Sequence, residues 1–438
     1  MKLSLVNQPW TIAAPPEGSD STGIWSYQVS RRLVKYCQIT YYGCKSKLNP
    51  SQESDSNLSS DKIEYRGISH RLDSLLKIPR AIAKRLNTSS LLPYFASTWF
   101  HYGYGRQVAR DAAQRGSDII HIHNHSQFVP IVRKYNPNAK IVLHLHCEWV
   151  NRLSQEAIAK RLAKLDLIIS CSDYITNKIA TRFPEYAGIC RTVNNGVDAD
   201  YFVPAATRPQ NSQDAPQMLF VGRISPEKGV HDLIDAFIEV TATYPDAVLT
   251  IIGPHIIVAK EMLFDLQHEP EVQALEPYYG VNYLEYIKSK IPPHLSDQII
   301  FAGSLPQEQV LPYYQQADVV INPSLSEAFG MSLVEAMATQ TPVVATKIGG
   351  MTEIVNDGVT GLLSDPGDIQ ALANAITAII SEPETARKMG EAGRERVLQY
   401  YTWEQIAKSL VFNYATMGVN IKADDSKKEV ARSLSPAN

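Results

Sequence analysis

Short apolar runs alternate with longer amphipathic stretches along most of the chain. In the first half the runs are Ile119-Ile120-His121-Ile122, Ile141-Val142-Leu143 and Leu167-Ile168-Ile169. In the second half they are Leu219–Val221, Val248–Ile252, Ile299–Phe301, Val319–Ile321 and Val343–Ala345. Each is rich in β-branched residues and apolar on both faces, the pattern of a strand buried inside a parallel sheet. Strands separated by helical stretches predict βαβ units and an α/β, doubly wound architecture.

The alternation pauses at Pro204–Pro216, which is proline-rich and polar. This predicts two domains, residues 1–204 and 217–400, joined by a linker at 205–216. A helix at 401–418 and a polar tail at 419–438 follow. Lys45–Asp61, rich in Ser, Asn and Asp, predicts a loose loop. Residues 71–92 interleave Leu72, Leu75, Leu76, Ile78 and Ile82 with Arg71, Lys77, Arg80, Lys84 and Arg85. Such a stretch suits peripheral contact with an anionic membrane. It equally suits a core-facing helix with a solvated basic face, broken at Pro79, and that plainer reading is preferred.

Composition narrows the class. The 438 residues are 44% hydrophobic and 20% charged, with a net charge of −3. This is a soluble globular balance without the basic excess of a nucleic-acid binder. No apolar run reaches the roughly 18 residues of a spanning helix. Met1–Trp10 lacks the basic start and long apolar run of a secretory leader, so none is expected. Cys37, Cys44, Cys147, Cys171 and Cys190 are sparse and odd in number, and suit a reducing cytoplasm better than a disulfide framework or zinc cluster.

Three segments carry candidate chemistry. Val221-Gly222-Arg223 closes a strand, and Ile224–Gly229 leads into a helix near Val230. Arg223 and Lys228 therefore stand at the carboxyl end of a strand, where open α/β sheets bind ligands. A forked guanidinium and a point-charge ammonium beside a glycine turn suit a diphosphate; an ordinary strand-to-helix turn is the alternative. The second segment runs from Asn322 to Glu335, with a helix starting near Met331 behind Gly330. Free N–H groups there favour an anion. Glu327 in the loop and Glu335 in the helix suit neutral hydroxyls, since a carboxylate accepts two bonds from a vicinal diol. The third segment holds five of the eleven histidines, between His121 and His146. Strand-end logic favours His146 over His144 as the functional one. No carboxylate joins the cluster at a ligand-like spacing, so no metal is expected. Ligand binding, or hydrogen bonding behind a site, is expected of His121, His123 and His125.

Pro323-Ser324, Glu327-x-Phe329-Gly330, Glu335-Ala336-Met337-Ala338, Pro342–Ala345, Gly349-Gly350 and Glu353-Ile354-Val355 together resemble the signature of family 4 retaining glycosyltransferases. Val221-Gly222-Arg223, Lys228-Gly229, Asn195-Gly196-Val197-Asp198 and Thr402-Trp403-Glu404 fall in the order that family shows. The resemblance runs from about residue 118 onward and is weak before it. It implies the GT-B fold: two Rossmann-like, doubly wound domains facing across a cleft, the second holding the donor. It implies that Arg223 and Lys228 hold the donor diphosphate beside Gly222, and that Glu335 binds the ribose. Glu327 would contact the transferred sugar beside Ala328, Phe329, Gly330, Met331 and Ser332. Gly303, Ser304 and Leu305 would lie near the base, and His146 near the sugar. The final helix, Trp403–Met417, would return to the first domain. Where two adjacent glycines are common in the first glycine loop, this chain has Thr22-Gly23, so Gly23 is the candidate there. The stretch from Gly253 to Ile300 is longer than usual and aromatic, which suits a donor-side element or an oligomer contact.

The implied reaction is sugar transfer from a nucleotide diphosphate sugar, UDP favoured over GDP or ADP, with retention and without metal or cofactor. The acceptor would be a glycan, lipid or small molecule. An epimerase or hydrolase on the same scaffold would need distinct acid and base residues. A non-catalytic nucleotide-sugar-binding subunit would not need the retained Arg223, Lys228, Glu327 and Glu335. A nicotinamide dehydrogenase lacks its Gly-x-Gly-x-x-Gly turn.

Overall fold

The computed structural model describes residues 1–13, 20–45, 62–75, 94–206, 215–257, 260, 264 and 270–419. All but Lys45 of the loop expected at 45–61, most of the basic 71–92 stretch, the core of the 205–216 linker and the tail beyond 419 lie outside the described residues. Contacts divide the chain into two compact units, residues 1–194 with 403–438, and residues 195–402. The division falls between Asn194 and Asn195, ahead of the proline-rich stretch. The last helix, Trp403–Thr416, groups with the first unit.

The first unit is built on a parallel sheet of β1 (Lys2–Val6), β2 (Gln38–Cys44), β3 (Ile63–Ile68), β4 (Ile119–His123), β5 (Lys140–Leu145), β6 (Leu167–Ser170) and β7 (Cys190–Thr192). Their order is β3-β2-β1-β4-β5-β6-β7. The β4 strand is buried at every position, as its two-sided apolar pattern requires. Strands β1 to β3 lack unbroken apolar runs, because polar positions, Ser4, Thr40 and Arg66 among them, interrupt them. Asp20 caps the helix Ser21–Leu33 by accepting from the Gly23 amide at 2.8 Å. Trp403–Thr416 packs on that helix, and Lys35 pairs with Glu404 at its edge.

The second unit repeats the plan with β8 (Gln217–Val221), β9 (Val248–Ile252), β10 (Ile299–Gly303), β11 (Val319–Asn322), β12 (Val343–Thr346) and β13 (Leu362–Ser364). Their order is β10-β9-β8-β11-β12-β13. The helix Val230–Thr241 buries Val230, Leu233, Ile234, Phe237 and Val240, a 3.6-residue stripe against the sheet. Burying each such side chain stabilises the fold by roughly 1.5–3 kcal/mol. Among the described residues, no helix is long and apolar enough to cross a membrane.

Both sheets reverse their strand order beside their first strand, between β1 and β4 and between β8 and β11. Loops leaving those two strands at their carboxyl ends diverge and leave a crevice for a ligand. In the second unit these are the loops of Arg223 and Lys228, and of Glu327.

Candidate active site

In the second unit the β8 loop runs through a 3-10 turn, Pro226–Lys228, into the helix at Val230. Gly229 bridges them at φ +65°, and a Cβ there would lie 2.0 Å from the Pro323 carbonyl oxygen. Only glycine allows the β8 and β11 loops to approach this closely. The Leu325 and Ser326 amides then donate to the Glu227 carbonyl, at 2.9 and 3.3 Å, and bind the loops together.

That join sets cations against carboxylates. Lys228 Nζ lies 2.5 Å from Glu327 Oε2, with both side chains mostly buried. Glu327 Oε1 accepts from the Ala328 amide at 3.1 Å. Burial opposes ionisation of Glu327. The Lys228 ammonium, the Phe329 amide and the Arg223 charge outweigh burial and hold its carboxyl below the ordinary value. Arg223 Nη2 donates to Glu227 Oε1 at 2.9 Å, and the Ser225 hydroxyl donates to the same oxygen at 2.8 Å. Both cations thus stand at the strand ends in fixed directions.

Gly330, at φ +113°, precedes the helix Met331–Ala338, whose first turn carries Met331 and Ser332. Asn322 holds the loop by accepting from the Ser324 hydroxyl at 2.6 Å, and its amide reaches Ser332 Oγ at 3.4 Å. Glu335 is half-buried, and Tyr314 donates its hydroxyl to Glu335 Oε2 at 2.7 Å. Burial pushes the Glu335 carboxyl up to about 7, with the Tyr314 hydrogen bond opposing. Gly303 ends β10, two strands away from β8, and is exposed with Ser304, while Leu305 is half-buried.

In the first unit the histidines of β4 and β5 share one buried face. His121 and His144 meet at 3.1 Å, and His123 Nδ1 meets His146 Nε2 at 2.9 Å. Trp25 packs against His123 and His144 with ring centroids 5.0 and 4.8 Å apart. Burial, helped by neighbouring imidazoles, drives His121 down to about 3 and holds His123 and His144 well below the usual histidine range. Ring nitrogens of His121, His123 and His144 lie within 4.8 Å of one another, and each ring is engaged by a hydrogen-bonding neighbour. His146 follows β5, its amide donating to Asn124 Oδ1 at 2.7 Å. Gly23 is buried within the first turn of its helix, and the Asp20 cap takes its amide.

A model described as "Glycosyl transferases group 1" matches residues 205–396, and one described as "Glycosyltransferase Family 4" matches residues 59–201. The chain is 30% identical over 322 residues to the putative glycosyltransferase YtcC of Bacillus subtilis, covering 70% of this chain and 74% of that protein. The chain belongs to the group 1, family 4 glycosyltransferases. This glycosyltransferase is also 27% identical to the lipopolysaccharide 1,2-N-acetylglucosaminetransferase of Salmonella typhimurium, over 91% of this chain and 94% of the relative. Sucrose-phosphate synthase from Thermosynechococcus elongatus superposes with a TM-score of 0.69 at 24% identity, over 95% of this chain and 99% of the other. Anabaena HepE, in complex with UDP and glucose, superposes with a TM-score of 0.66 at 18% identity, over 95% and 99%. These likenesses establish the α/β GT-B fold.

Two residues of the candidate site, Glu227 and Tyr314, were not singled out by sequence. Glu227 was visible between the two cations, but nothing marked it as the buried anchor of Arg223. Tyr314, from the helix Gln307–Gln316, left no signal, because its contact with Glu335 exists only once the helices pack. Tyr279 places its hydroxyl 3.5 Å from Glu227 Oε2, and Leu325 of the β11 loop joins Val272 and Leu275 in an apolar cluster flanked by Tyr279. The described part of the long 253–300 stretch therefore packs on the loops of Arg223 and Glu327.

Proposed function

We propose that this glycosyltransferase moves a hexose from a nucleotide diphosphate sugar, UDP favoured, to an acceptor hydroxyl with retention at the anomeric carbon, in polysaccharide, glycolipid or glycoconjugate synthesis. The observation that carries the reading is the meeting of Arg223, Lys228 and Glu327 at the switch point between β8 and β11. Arg223 and Lys228 hold the diphosphate, assisted by the amides around Gly330 and Met331. Glu335 accepts from the ribose hydroxyls. Glu327 accepts from hydroxyls of the transferred sugar, and His146 positions that sugar. The UDP found in HepE complexes supports the choice of base.

The slow event is departure of the diphosphate while positive charge builds on the sugar ring. Fixed cations at the leaving oxygens stabilise that charge separation without reorganising during the reaction. The carbon–oxygen bond to phosphate breaks, the acceptor oxygen attacks the same face, and the departing phosphate oxygen takes the acceptor proton. Glu327 is held ionised beside Lys228, an arrangement suited to hydrogen bonding more than to nucleophilic attack.

Lys228→Ala and Glu335→Ala are expected to remain folded and to lower kcat/KM for the donor at least about a hundredfold, the scale of losing a charge-assisted contact. Wild-type rates in both variants, with donor below saturation, would overturn the assignment.

A further inference from the structure

We infer that Asn7, Ser26 and His123 form a proton-ordering chain that fixes the tautomer of His146, making Nδ1 its accepting atom. The chain crosses the switch point of the first sheet. Asn7 follows β1, Ser26 lies on the helix Ser21–Leu33, His123 ends β4, and His146 follows β5.

The donors and acceptors can be assigned in sequence. Asn7 Nδ2 donates to the Tyr42 carbonyl at 3.0 Å. Turning the amide over would set two oxygens against each other at that distance, so Asn7 Oδ1 faces Ser26. Ser26 Oγ lies 2.5 Å from Asn7 Oδ1, and its single proton must lie between them. Ser26 Oγ therefore accepts at its other contact, His123 Nε2 at 3.0 Å. Asn7, Ser26 and His123 are each at most 1% exposed, so water offers no competing partner. Burial keeps the His123 ring neutral, as do the neighbouring imidazoles. A neutral ring with its proton on Nε2 has an accepting Nδ1. His146 Nε2, 2.9 Å away, must then donate to it.

In neutral His146 the remaining nitrogen, Nδ1, is an acceptor. It takes a hydroxyl proton and repels a phosphate oxygen. The chain thus directs His146 toward a sugar hydroxyl. This consequence rests on the placement of His146 at the transferred sugar; the chain itself does not. Asn7, Ser26 and His123 are positioning residues, acting through His146.

The test is a long-range 1H–15N correlation spectrum of the full-length protein labelled at histidine nitrogen, with His146 assigned by its loss in His146→Gln. The wild type is expected to show a single Nε2–H pattern for His146. Ser26→Ala should give a mixed or Nδ1–H pattern and lower kcat/KM about tenfold, and Ser26→Thr, which keeps the hydroxyl, should restore both. An Nδ1–H pattern in the wild type would overturn the chain, whether or not Ser26→Ala folds. So would an unchanged His146 pattern in folded Ser26→Ala. An Nε2–H wild-type pattern with full activity in His146→Gln would leave the chain standing and remove His146 from the sugar site.

Discussion

Glu335 binds a proton more tightly in the folded protein than in the unfolded chain, because burial raises it from 4.5 to about 7. Its contribution to stability is therefore complete below the ordinary carboxyl value and declines as pH rises through about 7. With Glu335 at the ribose, as proposed, donor binding is expected to have the opposite slope. An ionised carboxylate accepts from both ribose hydroxyls, whereas a protonated one offers less acceptor capacity. Donor KM is expected to fall as pH rises from 6 to 8 on the order of tenfold. Tyr314 donates to the ionised form, so Tyr314→Phe should move the transition to higher pH and leave kcat at high pH nearly unchanged. A pH series of initial rates checks this, and an identical profile in Tyr314→Phe would count against the role of the Tyr314–Glu335 contact.

At the scale of elements, the site depends on how closely two loops approach. Gly229 is at φ +65°, and any Cβ would meet the Pro323 carbonyl oxygen. Gly229→Ala is expected to destabilise the second unit by at least about 1–3 kcal/mol and to lower activity by separating Lys228 from Glu327. Denaturant unfolding with a donor-binding assay measures both; wild-type stability would mean that the loop joint is slack. This joint also explains what was legible beforehand. Arg223, Lys228, Glu327 and Glu335 stand in local motifs at strand ends, and unbroken apolar runs announced β4 to β6 and β8 to β12. Tyr314 acts through a contact between helices separate in sequence, which no local pattern encodes, and Glu227 lies only four residues from Arg223 but takes its role from burial. Gly23 lies in the first turn of the helix it was expected to open, with its amide capped by Asp20. The polar positions of β1 to β3 concealed three of the seven strands of the first sheet.

At the scale of the whole molecule, both units bury neutral imidazoles, the second His231 and the first a cluster. The first buries imidazoles that must stay neutral. Unfolding exposes them at their ordinary value of 6.5, while burial holds His121 at about 3 and His125 at about 4. Below 6.5 the unfolded state binds more protons, so stability is lost as pH falls from 6.5 toward those values and is level above it. Thermal melts between pH 7.5 and 4.5 should show the first unit unfolding at progressively lower temperature. Its transition is identified by the environment of buried Trp25. A transition independent of pH would show that the imidazoles are not excluded from water. Nucleotide binding reports on the proposed donor site of the second unit without an acceptor in hand. The measurement is a thermal-shift panel of UDP, GDP, ADP and their sugars on wild type and Lys228→Ala. UDP and its sugars are expected to stabilise the wild type, by roughly 2.7 kcal/mol at a hundred times the dissociation constant, and to lose that effect in Lys228→Ala. Stabilisation by no nucleotide, or the same stabilisation in the variant, would contradict it.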